Sequence, residues 1–191
     1  MRYFECETKD GTRVQGLITA PDLARTVIVH VHGFGGDFIS NRFVQRMHDA
    51  LPAAGIAFAS FNHRLSGYVV EKYSESGVTY CGAAMSDPAS AVQDLESVVR
   101  LLREGFPSVV LQGHSFGTNL VKNFARRAGW LGDLCFLSPS DSQWLYEGWR
   151  RQHPGDPHSR AGVTLSGDGI AFDIFGVGVA TTEYCLPISR T

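Results

Sequence analysis

The chain has 191 residues, 17 basic against 19 acidic side chains, a net charge of −2 and 43 % hydrophobic residues. This is ordinary globular composition and excludes a disordered, fibrous or coiled-coil chain. The length predicts one domain able to bury roughly 70 % of its unfolded surface, and the near-neutral charge gives no sign of nucleic acid or of an acidic membrane surface. Cys6, Cys81, Cys135 and Cys185 are scattered, with no C-x-x-C and no zinc spacing. The start MRYFECETKD lacks a cationic apolar leader, and no run of ~18 apolar residues offers a membrane span. The expectation is a reduced, cytoplasmic protein with free thiols, no metal and no cofactor.

In chain order, Arg2 to Thr8 and Thr12 to Thr19 read as strands around the hairpin signal Lys9-Asp10-Gly11. Thr26 to His32 (TVIVHVH) is rich in β-branched residues and reads as a strand buried on both faces. Ser40 or Asn41 can cap a helix with the stripe Phe43, Met47 and Leu51, ended by Pro52. A strand over Ile56 to Phe61 follows, and Tyr68 to Gly82 reads as a loop. Asp87-Pro88 opens the clearest helix, with Val92, Leu95, Val99 and Leu102 on one face. Ser108 to Gln112 is a short strand, followed by GHSFG and a helix carrying Leu120, Val121, Phe124 and Ala128. Asp133 to Leu137 is the sixth strand of this series. Beyond it the rhythm fails: Ser142 to Gln152 suggests a helix, His153 to Gly169 is polar and Gly/Pro-rich, and Ile170 to Ala180 alternates like a strand. Strands alternating with helices predict a mostly parallel sheet with helices on both faces, led by an antiparallel hairpin.

Two motifs carry chemistry. Gly113-His114-Ser115-Phe116-Gly117 stands between a predicted strand and a predicted helix, the context of a nucleophile elbow. So tight a turn demands small residues at 113 and 117, and it sets Ser115 at the positive end of a helix dipole. The second motif, His32-Gly33-Phe34-Gly35-Gly36, follows the strand from Thr26. There a backbone N–H can meet a developing oxyanion, with the residue after the nucleophile as the other donor. By position these donors are Phe34 and Phe116. His30 reads as a packed, hydrogen-bonded core histidine and His32 as support for the loop. Asn62, His63 and Arg64 lie at a strand's carboxyl end, where they either bind substrate or are solvated.

On VHVHGFGGDFISNRF, GIAFASFNHRLSG, GAAMSDPASAVQDL, LQGHSFGTNLV and LCFLSPSD, residues 26 to 140 resemble the α/β-hydrolase superfamily, in particular its small esterase-like serine hydrolases. The resemblance implies a nucleophile at Ser115 and oxyanion donors at Phe34 and Phe116. It also implies a triad in the order Ser, acid, His, with the last two after the seventh and eighth strands. Here the chain departs from the pattern. Only His153 and His158 follow Ser115, both in HPGDPH, and the expectation is that the last two strands of the fold are absent.

The expectation is therefore a single domain, with residues 1–141 as core and 142–191 as a cap-like or irregular tail, truncated before the end of the fold. Asp141, after the sixth strand, and His153 or His158 are the candidates for acid and base. The exposed sheet edge would favour self-association. The functional expectation is hydrolysis of a small-molecule carboxylic ester or related acyl bond. The alternative is an inactive hydrolase-fold protein that binds a ligand or a partner.

Overall fold

Burial alternates strictly along the strand Arg13–Thr19 (β2), with Val14, Gly16 and Ile18 inward, so one face of the chain's leading hairpin covers the core. Its partner Arg2–Glu7 (β1) runs antiparallel, Phe4 opposite Gly16 and Cys6 opposite Val14. In the computed structural model, which describes residues 1–74, 77–138, 164–166, 169–174 and 177–181, this hairpin opens a six-stranded sheet. The other strands are Thr26–Val31 (β3), Ala57–Asn62 (β4), Ser108–His114 (β7) and Leu134–Leu137 (β8). Between β4 and β7 lie two strands of a separate hairpin, Val70–Ser74 (β5) and Gly77–Cys81 (β6). The order of the large sheet is β1-β2-β4-β3-β7-β8, antiparallel as far as β4 and parallel from β4 to β8. β3 and β4 lie inside it and are accordingly almost continuously buried, with Val27, Val29, Val31, Phe58 and Phe61 inaccessible to solvent.

Three helices pack on this sheet. The first, Arg42–Ala53 (α1), contacts β2 and β4. Its expected stripe is displaced: Val44 and His48 are the buried residues, while Phe43, Met47 and Leu51 are half-buried. His48 was not expected there. It occupies the core because both ring nitrogens are bonded, Nδ1 to Thr19 Oγ1 at 2.9 Å and Nε2 to Ser60 Oγ at 2.8 Å. Asn41 is the N-cap residue but makes no side-chain cap bond, and Pro52 stands inside the last turn instead of ending it.

Helix Pro88–Arg103 (α2) matches its sequence signals: Asp87 accepts a bond from Ser90 N at 3.0 Å, and all four stripe residues are buried. Helix Gly117–Ala128 (α3) packs on α2, β3 and β7 and ends at Gly129 in the left-handed region.

Arg64 ties three segments together. Its guanidinium donates to Asp94 of α2 (2.7 Å) and to Asp10 of the β1–β2 turn (2.8 Å), and its own backbone N–H also donates to Asp94 (2.7 Å). The Arg64 guanidinium holds the Asp10 carboxyl well below the usual range. At Asp94, which has no exposed surface, burial pushes the pKa up against the pull of Arg64.

Two regions differ from expectation. The stretch from Tyr68 to Gly82, expected as a loop, contains the β5–β6 hairpin, with Val70 opposite Cys81 and Glu71 opposite Tyr80. Its polar composition hid the pairing. The run from Ile170 to Ala180 is two strands, Gly169–Ile174 (β10) and Val177–Thr181 (β11), which pair antiparallel. With Thr164–Ser166 (β9) they form a three-stranded antiparallel sheet in the order β11-β10-β9. Alternation has the same period on both sides of a hairpin, so it does not tell one strand from two.

The chain divides into two compact units, Met1–Ser140 and Asp141–Thr191. Among the described residues no helix is long and apolar enough to cross a membrane, and Cys6, Cys81 and Cys135 are free thiols.

Candidate active site

β7 ends at His114 and α3 begins at Gly117, leaving a two-residue turn in which Ser115 has φ = 51°. A non-glycine residue in that region costs about 1 kcal/mol or more, so surrounding contacts must hold it. They come from the neighbouring strand and from the helix that follows. Ser115 N donates to Leu137 O of β8 at 3.0 Å, and Thr118 N donates to Ser115 O at 3.0 Å. The flanking glycines have a steric cause. A Cβ at Gly113 would lie 2.6 Å from Thr118 Cα, and one at Gly117 would lie 2.2 Å from Val31 O and 2.5 Å from His32 O.

The loop after β3 lies against this turn. A Cβ on Gly33 would meet Ser115 Cβ at 3.0 Å and Oγ at 3.5 Å. The loop then closes on itself, Gly36 N donating to Gly33 O at 3.1 Å, with Gly35 at φ = 64°. Among the described residues, the N–H groups of Phe34 and Phe116 and the hydroxyl of Ser115 have no hydrogen-bond partner. A cleft of about 350 Å³ opens beside them, lined by Phe34, Asp37, Ser40, Asn41 and His114 among others. A larger open groove, about 440 Å³, runs between α2 and α3 past Val99, Phe124 and Arg103; it contains none of the motif residues.

The residues after β4 brace the loop. Asn62 Oδ1 accepts Phe38 N at 2.9 Å, while Ser66 Oγ (2.9 Å) and Gly67 N (3.1 Å) both donate to Gly36 O. Asn62 Oδ1 and Arg64 are thus engaged within the fold, and His63 is buried. Replacing Asn62 by alanine should leave the Phe38 amide without its acceptor. The expected result is a loss of about 1 kcal/mol in stability, with hydrogen exchange at Phe38 accelerated at least ~5-fold relative to the β3 amides.

Four histidines gather under the site. His32 donates through Nδ1 to Gly33 O at 2.8 Å and stacks on His63 with ring centroids 3.8 Å apart. His30 is bonded through Nδ1 to Gln112 Oε1 at 2.8 Å. His114 stacks on His30 at 6.4 Å and meets Phe43 edge-on at 4.9 Å. These contacts agree with His30 as a bonded core residue and His32 as a prop for the loop. The Nε2 atoms of His30 and His32 are buried without a partner among the described residues. Burial pushes both rings down to a pKa of about 4, His63 falls well below its ordinary value for the same reason, and burial lowers His114 too. Near neutral pH all four are uncharged.

Asp37 accepts Ile39 N and Ser40 N at 2.8 and 2.7 Å, and the Ser40 hydroxyl as well. Burial opposes its ionisation, but these bonds outweigh that and hold the carboxyl below its ordinary value. Among the described residues no three His, Cys, Asp or Glu side chains come together as a metal site. The sequence candidates for acid and base, Asp141, His153 and His158, lie outside the described residues.

No protein-family model matches the chain, and a search of curated proteins returns no match. Solved structures do resemble it. An esterase of Pyrococcus furiosus aligns with a TM-score of 0.57 at 14 % identity, over 84 % of this chain and 57 % of that one. A thermostable carboxyl esterase from Bacillus coagulans aligns at 0.55 and 18 % identity, over 82 % and 53 %. The bottromycin epimerase BotH aligns at 0.54 and 19 %, over 84 % and 59 %. The chain thus spans little more than half the length of these relatives. At such identities the likeness is one of fold, and that fold also carries chemistry other than ester cleavage. With its mixed sheet, antiparallel leading hairpin and strand–turn–helix at Ser115, the chain has the α/β-hydrolase fold.

Proposed function

We propose that the chain is a serine hydrolase acting on a carboxylic ester or related acyl bond of a small molecule. The observation that carries this reading is the left-handed turn at Ser115, with the Gly33 backbone against it and the unpartnered N–H groups of Phe34 and Phe116 nearby. Strain held at one serine by its neighbours is what a presented nucleophile requires.

Ser115 Oγ attacks the carbonyl carbon, and the Phe34 and Phe116 N–H groups receive the charge developing on the carbonyl oxygen. The serine proton passes to a base and then to the departing alcohol. Water repeats the sequence on the acyl-serine and releases the acid. Asp141, with His153 or His158, is our candidate pair for acid and base; the chemistry asks for an imidazole within hydrogen-bond reach of Oγ. His30 and His32 are each bonded into the fold through Nδ1.

An alkyl fluorophosphonate tests the proposal. The folded protein should be labelled at Ser115 and should cleave p-nitrophenyl acetate, and Ser115→Ala should lose both. A separate His153→Ala or His158→Ala change should slow cleavage by at least ~10³-fold for whichever residue is the base. Folded protein that takes no label would favour the binding-module reading.

A further inference from the structure

The cleft beside Ser115 is lined by polar and aromatic side chains, Asp37, Ser40, Asn41 and Phe34 among them, and Phe34 packs against two further rings. Phe116 meets Phe34 edge-to-face, with centroids 5.7 Å apart and planes at 80°, and Tyr68 also meets Phe34 edge-to-face, at 5.9 Å and 74°. Phe116 is only 7 % exposed, whereas Tyr68 is 66 % exposed. The three rings therefore step outward from the residue next to Ser115 to the surface.

Tyr68 is held in this place. Its ring lies over Gly35, where a Cβ would come within 3.1 Å of the ring atoms. Its carbonyl accepts Ala84 N at 2.9 Å, and the preceding Gly67 is bonded on both sides, its N–H to Gly36 O and its carbonyl to Ala83 N. A large ring kept in water on a fixed backbone, next to the exposed Val69, forgoes burial unless something covers it.

Resting on the hydrolase reading above, we propose that Phe34 and Tyr68 form the acyl-binding wall of the site, and that its substrates are esters with an aromatic acyl group. Two of the rings belong to the residues whose N–H groups receive the carbonyl oxygen. The acyl group is the part of the substrate that stays on Ser115 through both half-reactions. A surface built into the donor residues serves both steps only if it holds that part. A flat ring bonded near the carbonyl can continue the edge-to-face series, with Tyr68 as its outer partner. Tyr68 is on this account a specificity-determining residue.

The test compares p-nitrophenyl phenylacetate with p-nitrophenyl acetate, which share a leaving group. The protein should prefer the phenylacetate in kcat/KM by about 5-fold or more. Tyr68→Ala should lower that preference by about 5-fold, mainly through KM, and Tyr68→Phe should keep it. In Ser115→Ala, which cannot turn over, methyl phenylacetate should move the ring proton signals of Tyr68. An unchanged preference in Tyr68→Ala, with p-nitrophenyl acetate still cleaved, would overturn the acyl wall and leave the hydrolase reading intact. Unmoved Tyr68 signals would overturn it whether or not either ester is cleaved. Failure to cleave either ester while the Tyr68 signals do move would count against the hydrolase reading and keep the aromatic subsite.

Discussion

Gly117→Ala should destabilise the protein by about 3 kcal/mol, although position 117 opens a helix and alanine is the better helix former by about 1 kcal/mol. The sign follows from what the methyl group meets. At 2.2 Å from Val31 O and 2.5 Å from His32 O it would press on backbone of a central strand and its exit, not on a side chain able to turn away. Either α3 moves off the sheet, uncovering Leu120 and Val121, or β3 shifts in register with two neighbours. Gly105 is the matched control. A Cβ there meets nothing within 4 Å, so Gly105→Ala should stay within about 0.5 kcal/mol of the parent. Urea unfolding of both variants checks the pair; equal midpoints would mean that the close approach at Gly117 is not tight.

Acid should destabilise the protein well above the ordinary carboxylate range. His30 and His32 have folded pKa values of about 4 against 6.5 for the free ring, so the unfolded chain binds protons that the folded chain refuses. Stability is then complete above pH ~6.5 and falls as the pH drops toward 4. The slope reaches about 1.4 kcal/mol per pH unit for each ring. These two rings alone remove about 2 kcal/mol between pH 6 and pH 5, and His63 acts in the same direction. The depressed carboxyls of Asp10 and Asp37 contribute only below their own ordinary range, nearer pH 4. Urea titrations at pH 7, 6 and 5 measure the difference. A flat profile across that range would mean that the histidine cluster accepts protons while folded.

What the sequence disclosed and what it hid follow one division. The sheet's six strands and three helices were legible because their signals are local: β-branched runs, an Asp-Pro start, glycines at stops. The turn at Ser115 was legible because its steric demands leave a mark in the chain, a glycine on each side. His48 and Asp94 were not, since each is buried only through a partner 12 to 30 residues away, and a polar letter gives no hint of it. For the same reason Asn62 and Arg64 read as substrate or solvent contacts when they in fact fasten the fold. The β5–β6 hairpin escaped because half-polar strands lack the alternation that marks a buried face.

The bond from Ser115 N to Leu137 O has a consequence for the order in which the molecule assembles. The strained φ at Ser115 is held from β8 on one side and from the β3 exit on the other, by residues that stand far apart in the chain. The two contacts exist together only when three parallel strands have been brought together, and loop closure must precede that. During synthesis Ser115 is therefore an ordinary serine until Leu137 has left the ribosome and docked. Its distinctive geometry is a property of the finished sheet and not of the GHSFG segment, so the same five residues in a peptide would show nothing of it.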